Sequence, residues 1–186
     1  MLKFDISVAL KQSASGLDAA LLEAFIKVES GGRGFDPATG KLIIQFEPSW
    51  YRKKAPYAPS GAWSLNKVEV QSKEWLAFND AFKLDKNAAM ESTSIGLPQI
   101  MGFHWARLGY DSVDAMWDDF KYGIVNQICA LIRFIHTDKN LLRAFENNDY
   151  EIMLGFDLNV YHDCLRMINN LNWDPNKELY KISQSL

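Results

Sequence analysis

The hydrophobic positions along this chain keep mostly a helical beat, broken once by a strand-like run. Leu17, Leu21, Ala24, Phe25 and Val28 follow the 3.6-residue period, predicting a first helix from about Gly16 or Asp18 to Glu29. Gly31 and Gly32 follow and can supply a left-handed stop. In GFDPATGKLIIQFE, residues 34–47, Asp-Pro-Ala-Thr-Gly is turn chemistry and the apolar, β-branched run after it reads as a strand. A short β-hairpin beside the first helix is predicted. Residues 48–66 carry Pro48, Pro56 and Pro59 and read as an irregular loop with Trp50, Tyr51, Tyr57 and Trp63. From Val68 the pattern is helical almost to the end. Trp75, Phe78 and Phe82 form one stripe, and Ser112 can cap a helix through Phe120 with Asp114 in its first turn. Ile124, Ile128, Leu131 and Ile135 mark 121–137 as a buried central helix, and Tyr161, Cys164, Leu165 and Ile168 mark another. The expected class is α+β, predominantly α-helical, with a small β-hairpin near the N-terminus.

Composition narrows this picture. The 186 residues fit a single domain over 1–186, and 48% apolar content supports a packed core. The longest apolar runs fall short of the roughly 18–20 residues of a membrane span. MLKFDISVALKQSASG has an aspartate at position 5 and does not read as a secretory signal. The expectation is synthesis in the cytoplasm and action elsewhere after release or delivery. A net charge of −3 with scattered basic groups, such as RKK at 52–54, argues against nucleic acid as a partner. Cys129 and Cys164 sit among apolar helical residues and read as buried reduced thiols. His104, His136 and His162 lack zinc-ligand spacing, so no metal and no cofactor is expected.

Two carboxylates and one mixed segment carry candidate chemistry. Glu29 lies eight residues after Leu21 and four after Phe25, on the apolar face at a helix C-terminus. Lost hydration and the helix's negative end both favour a protonated carboxyl, the state a general acid needs. The alternative is a side chain turned to solvent or paired with Arg33 or Arg52. Glu47 follows 18 residues later (47 − 29), at the end of the expected strand. Two carboxyl groups about 5–10 Å apart serve glycoside hydrolysis, and the alternative is an exposed strand-end charge. STSIGLPQIMGFH, residues 92–104, mixes hydroxyl side chains, two glycines and Gln99, whose amide suits a sugar hydroxyl or acetamide. A glycine-punctuated helix join would look the same.

Taken together, VESGGRGF (28–35), LIIQFE (42–47) and STSIGLPQIMGFH (92–104) resemble the N-acetylmuramidase domain of phage endolysins, a family similar in fold to goose-type lysozymes and lytic transglycosylases. The resemblance reaches more weakly over about residues 15–165, most of the chain, and so implies no separate wall-binding module. It implies cleavage of the β-1,4 bond between N-acetylmuramic acid and N-acetylglucosamine in peptidoglycan glycan strands. Glu29 matches the general acid and Glu47 the second glutamate. Ser94, Gln99, Ile100, Met101 and His104 fall in the block that lines the sugar groove, and Tyr161 falls where the family carries a groove tyrosine. Aromatic residues of 48–66 and 103–110 are expected to stack on sugar faces. The chain departs from the family at Phe156-Asp157-Leu158, which replaces a Tyr-Asn-Gly step, and at Pro98, where a larger apolar residue is usual. Two other outcomes stay open: a lytic transglycosylase that forms 1,6-anhydro ends, and a non-catalytic peptidoglycan-binding or structural module. The sequence holds no sign of an immunity or delivery protein as partner.

Overall fold

A computed structural model describes residues 1–67, 70–147 and 149, and of Glu29 the backbone alone. Tyr161, His162, Cys164 and the 156–158 departure lie outside the described residues. The chain divides into two compact units, one of residues 1–32 and 132–186, the other of residues 33–131.

The first unit begins with a helix that the apolar periodicity did not reveal. α1 (Leu2–Gln12) buries only Ile6 and Ala9, too narrow a stripe to stand out in sequence. Its partner α2 (Ala19–Ser30) starts where Asp18 accepts the Leu21 N–H at 2.8 Å, the N-cap arrangement of a carboxylate satisfying an orphan donor. Leu22 and Ile26 are fully buried. α8 (Lys139–Asn147) contributes Phe145, whose ring meets that of Phe25 edge-on at 5.5 Å. His136 and Ser15 lie 3.0 Å apart across the same unit.

The second unit is built around a three-stranded antiparallel sheet in the order β1 (Ile44–Phe46), β2 (Thr93–Ile95), β3 (Ile100–Met101). This differs from a local hairpin. The Asp36–Gly40 turn forms as expected, with Asp36 accepting from Ala38 N–H and Thr39 Oγ1, yet only Phe35 and Leu42 bridge across it. β1 instead pairs with a strand 49 residues further on, Gln45 opposite Ser94. The 92–104 segment therefore interrupts the helical reading, because its alternation over three residues is too short to register against the helical background.

The opposite edge of β1 is closed by side chains. Gln71, on α4 (Gln71–Leu84), accepts the Ile44 N–H at 2.9 Å and donates to the Ile44 carbonyl at 2.8 Å. Glu74 accepts the Phe46 N–H at 2.8 Å, and Asn66 donates to the Phe46 carbonyl at 3.1 Å. Side-chain amides and a carboxylate thus take the place of a fourth strand and blunt an edge that would otherwise recruit another chain.

Residues 48–66 are not an irregular loop. Pro48 opens α3 (Pro48–Lys54), the N1 position where its missing N–H costs nothing, and Ala62–Leu65 form a 3-10 turn. α5 (Lys86–Glu91), α6 (Val113–Tyr122) and α7 (Ile124–His136) are the other helices among the described residues, and Ser112 caps α6 through the Ala115 N–H at 3.1 Å. Ile128, Leu131 and Ile135 of α7 are buried as the stripe predicted. Cys129 is half-buried rather than fully buried.

Candidate active site

Glu29 stands one residue before the end of α2. The helix stops there because Gly31 turns left-handed, φ 60° and ψ 21°, and its N–H still reaches the Lys27 carbonyl at 3.0 Å. Gly32 keeps a positive φ of 75°. Both conformations strain any residue with a Cβ. The glycines of VESGG therefore fix where the chain leaves the helix after the glutamate. The face on which the sequence reading put the Glu29 side chain lies outside what the structure describes.

Glu47 sits at the junction of β1 and α3, as the residue preceding Pro48. Its N–H donates to the Ser92 carbonyl at 2.9 Å, which extends the β1–β2 ladder by one rung. Its half-buried carboxylate accepts from Gln45 Nε2 at 3.0 Å. Gln45 carries no motif of its own, although the strand's period of two puts it on the same face as Glu47.

From Gln45 a line of polar contacts crosses the sheet. Ser94 Oγ is 3.4 Å from the Gln45 carbonyl and 3.0 Å from Gln99 Oε1. Gln99 has a left-handed backbone, φ 48°, unusual for a residue with a side chain. Its amide nitrogen donates to the Gly96 carbonyl at 2.7 Å and lies 3.5 Å from that of Ile43. The Gln99 amide is thus committed to holding the β2–β3 turn, where the sequence reading offered it to a sugar. Ile100 is buried, so its side chain packs the core and cannot line a groove, while Met101 is half-buried. Gly102 is required by packing: a Cβ there would lie 2.0 Å from the Met90 carbonyl oxygen.

Gln127 of α7, also unforeseen, ties this segment down. It is fully buried, accepts the Leu97 N–H at 2.6 Å and donates to the Phe120 carbonyl at 2.8 Å. Gly34 and Gly96 leave room for it, since a Cβ on either would fall 2.2 or 2.7 Å from its Oε1. A lone glutamine inside an apolar stripe gave no stronger sign in the sequence.

The aromatic residues of 48–66 separate into two sets, while Phe103, Trp105 and Tyr110 are half-buried. Tyr51 and Trp63 are buried and pack on each other at 4.7 Å, so they cannot stack on a sugar as the loop reading allowed. Trp50 and Tyr57 are exposed. His104 is half-buried, and burial, with the Arg107 charge adding to it, pushes its imidazole down to about 4. No cluster of three or more His, Cys, Asp or Glu suited to a metal ion occurs among the described residues, and none of their helices is long and apolar enough to cross a membrane.

The described residues are predominantly helical with a small antiparallel sheet, and the chain shares the lysozyme-like fold of an endolysin of known structure. The crystal structure of Burkholderia AP3 phage endolysin matches 98% of this chain and 70% of that one, with a TM-score of 0.78 and 27% identity. The model of the N-acetylmuramidase family matches residues 18–154, from the N-cap of α2 past the end of α8. No curated protein matches the sequence. The chain belongs to the N-acetylmuramidase family, and so to the enzymes that cleave peptidoglycan. The matched span holds Glu29, Glu47 and the 92–104 block, whereas Tyr161 lies beyond it.

Proposed function

We propose that this chain hydrolyses the β-1,4 bond between N-acetylmuramic acid and N-acetylglucosamine, with Glu29 as the general acid. The observation that carries the reading is the position of Glu29 in the last turn of α2, within the family's span and ahead of the left-handed Gly31. A helix C-terminus in general disfavours negative charge close to it, and a general acid must be protonated to donate to the leaving oxygen. Glu47 is the second carboxyl. In this role it orients water or stabilises the oxocarbenium-like transition state.

In this reading the polar line behind Glu47 has a purpose. Gln45 holds the carboxylate, and Ser94 and Gln99 hold the strand pair that carries Gln45. They are positioning residues rather than sugar ligands. Both units belong to one lysozyme-like domain, and the substrate is the glycan strand of the cell wall.

Mass analysis of muropeptides after incubation with purified sacculi tests this. Hydrolysis leaves reducing N-acetylmuramic acid ends. Ends lighter by one water would assign a lytic transglycosylase instead, with Glu47 dispensable. Binding to sacculi with no new ends would make the protein a non-catalytic module.

A further inference from the structure

Tryptophans of the second unit differ widely in exposure. Trp63 and Trp117 are 1% and 2% exposed, whereas Trp50 is 38% exposed. Trp50 stands in the first turn of α3, three residues after Glu47. Its ring lies against Phe103 at 4.8 Å between centroids, tilted by 35°, and Phe103 lies against His104 at 4.2 Å. The helix after Glu47 and the 3-10 turn after Met101 thus join their rings into one aromatic surface.

Charge gathers at the same place. The Lys53 ammonium lies 4.6 Å from the Trp50 ring centroid, and Lys54 lies 5.9 Å from that of Phe103. Lys54 is already matched by Glu91 at 2.5 Å. Lys53 is exposed, on a long stem that can leave the ring when something better arrives. His104 is neutral near pH 7, so the charge beside the exposed indole comes from the lysine. This local excess of positive charge stands out on a chain whose net charge is −3.

A ring with a displaceable ammonium lying over it fits one kind of ligand. A β-linked pyranose offers an apolar C–H face to an aromatic ring, and an anionic substituent on that sugar would draw the ammonium off. In a peptidoglycan strand the sugar that bears such a substituent is muramic acid, through the carboxylates of its stem peptide. We propose that Trp50, Phe103 and Lys53 form a glycan subsite that takes a muramic acid residue together with a free stem-peptide carboxylate. The proposal rests on the muramidase reading and names the substrate feature that reading leaves open.

Calorimetric titration of the full chain with a disaccharide–peptide bearing free carboxylates, with its amidated counterpart and with a chitin oligosaccharide tests it. Trp50→Ala weakens all three roughly three- to tenfold, and Trp50→Phe restores most of the loss. Lys53→Glu weakens the free-carboxylate fragment alone, and its effect fades as salt shortens the Debye length below about 8 Å. Unchanged binding in both variants, an equal loss for the amidated fragment in Lys53→Glu, or no binding by the parent chain overturns the subsite. Sacculus digestion by the parent is read separately. Digestion with binding unaltered in both variants removes the subsite and keeps the muramidase. Ring- and lysine-dependent binding without digestion keeps the subsite and removes the muramidase.

Discussion

Gln127 and Leu97 are joined by a 2.6 Å hydrogen bond in a fully buried position, 30 residues apart in sequence. Replacing Gln127 with leucine leaves both the Leu97 N–H and the Phe120 carbonyl without their partner. The expected loss is about 2–4 kcal/mol, read as a lower urea midpoint. Gly96→Ala acts on the same place from the other side. It puts a side chain at φ 67° and a Cβ 2.7 Å from Gln127 Oε1, so it is expected to destabilise by a similar amount.

The side-chain edge of β1 gives a different signature. Gln71→Ala unpairs both backbone groups of Ile44, at an expected cost of about 1–3 kcal/mol. It also reopens the edge, so light scattering during refolding is expected to rise. If the variant loses stability with no increase in scattering, the pairing is structural without protecting the edge.

Glu29→Gln keeps the shape of the side chain and removes the acid. Clearing of a sacculus suspension is expected to fall by at least about a hundredfold, with the thermal midpoint close to that of the parent. Full lysis by this variant ends the general-acid reading. Gln45→Ala is expected to lower the rate less, because it frees the Glu47 carboxylate from a neighbour and leaves it present.

His104 predicts a pH dependence. Its folded value of about 4 lies below the ordinary 6.5, chiefly through burial. Between those two values the unfolded chain binds more protons, so His104 makes stability fall as the pH drops from about 6.5 to 4. His104→Gln is expected to flatten the thermal midpoint against pH across that window. A curve parallel to the parent's would show that other groups set the dependence.

Much of this was legible in the sequence where one physical signal dominated. The α2 boundaries, the Ser112 cap and the α7 stripe rest on local rules, a capping side chain, a glycine stop and a long apolar period, and the structure has them in place. α1 escaped because two buried residues make no stripe. The strand's partner escaped because pairing over 49 residues leaves no local trace. In the candidate site the residue types were visible and their uses were not. Gln99 is a good sugar ligand by chemistry, and only its distances to Gly96 and Ser94 show its amide occupied. Gln45 and Gln127 hold site segments in place through bonds that no motif spells out.

Because β1 is bonded along both edges, its length is set from outside itself. One extra residue in 41–47 would present the opposite face to Ser94 and to Gln71 alike, and would carry Glu47 out of line with Ser92. The exposed Asp36–Gly40 turn, bridged only at Phe35 and Leu42, has no such obligation. Insertions and deletions should be tolerated in the turn and rejected in the strand, so a loop graft or an affinity tag belongs between Asp36 and Gly40.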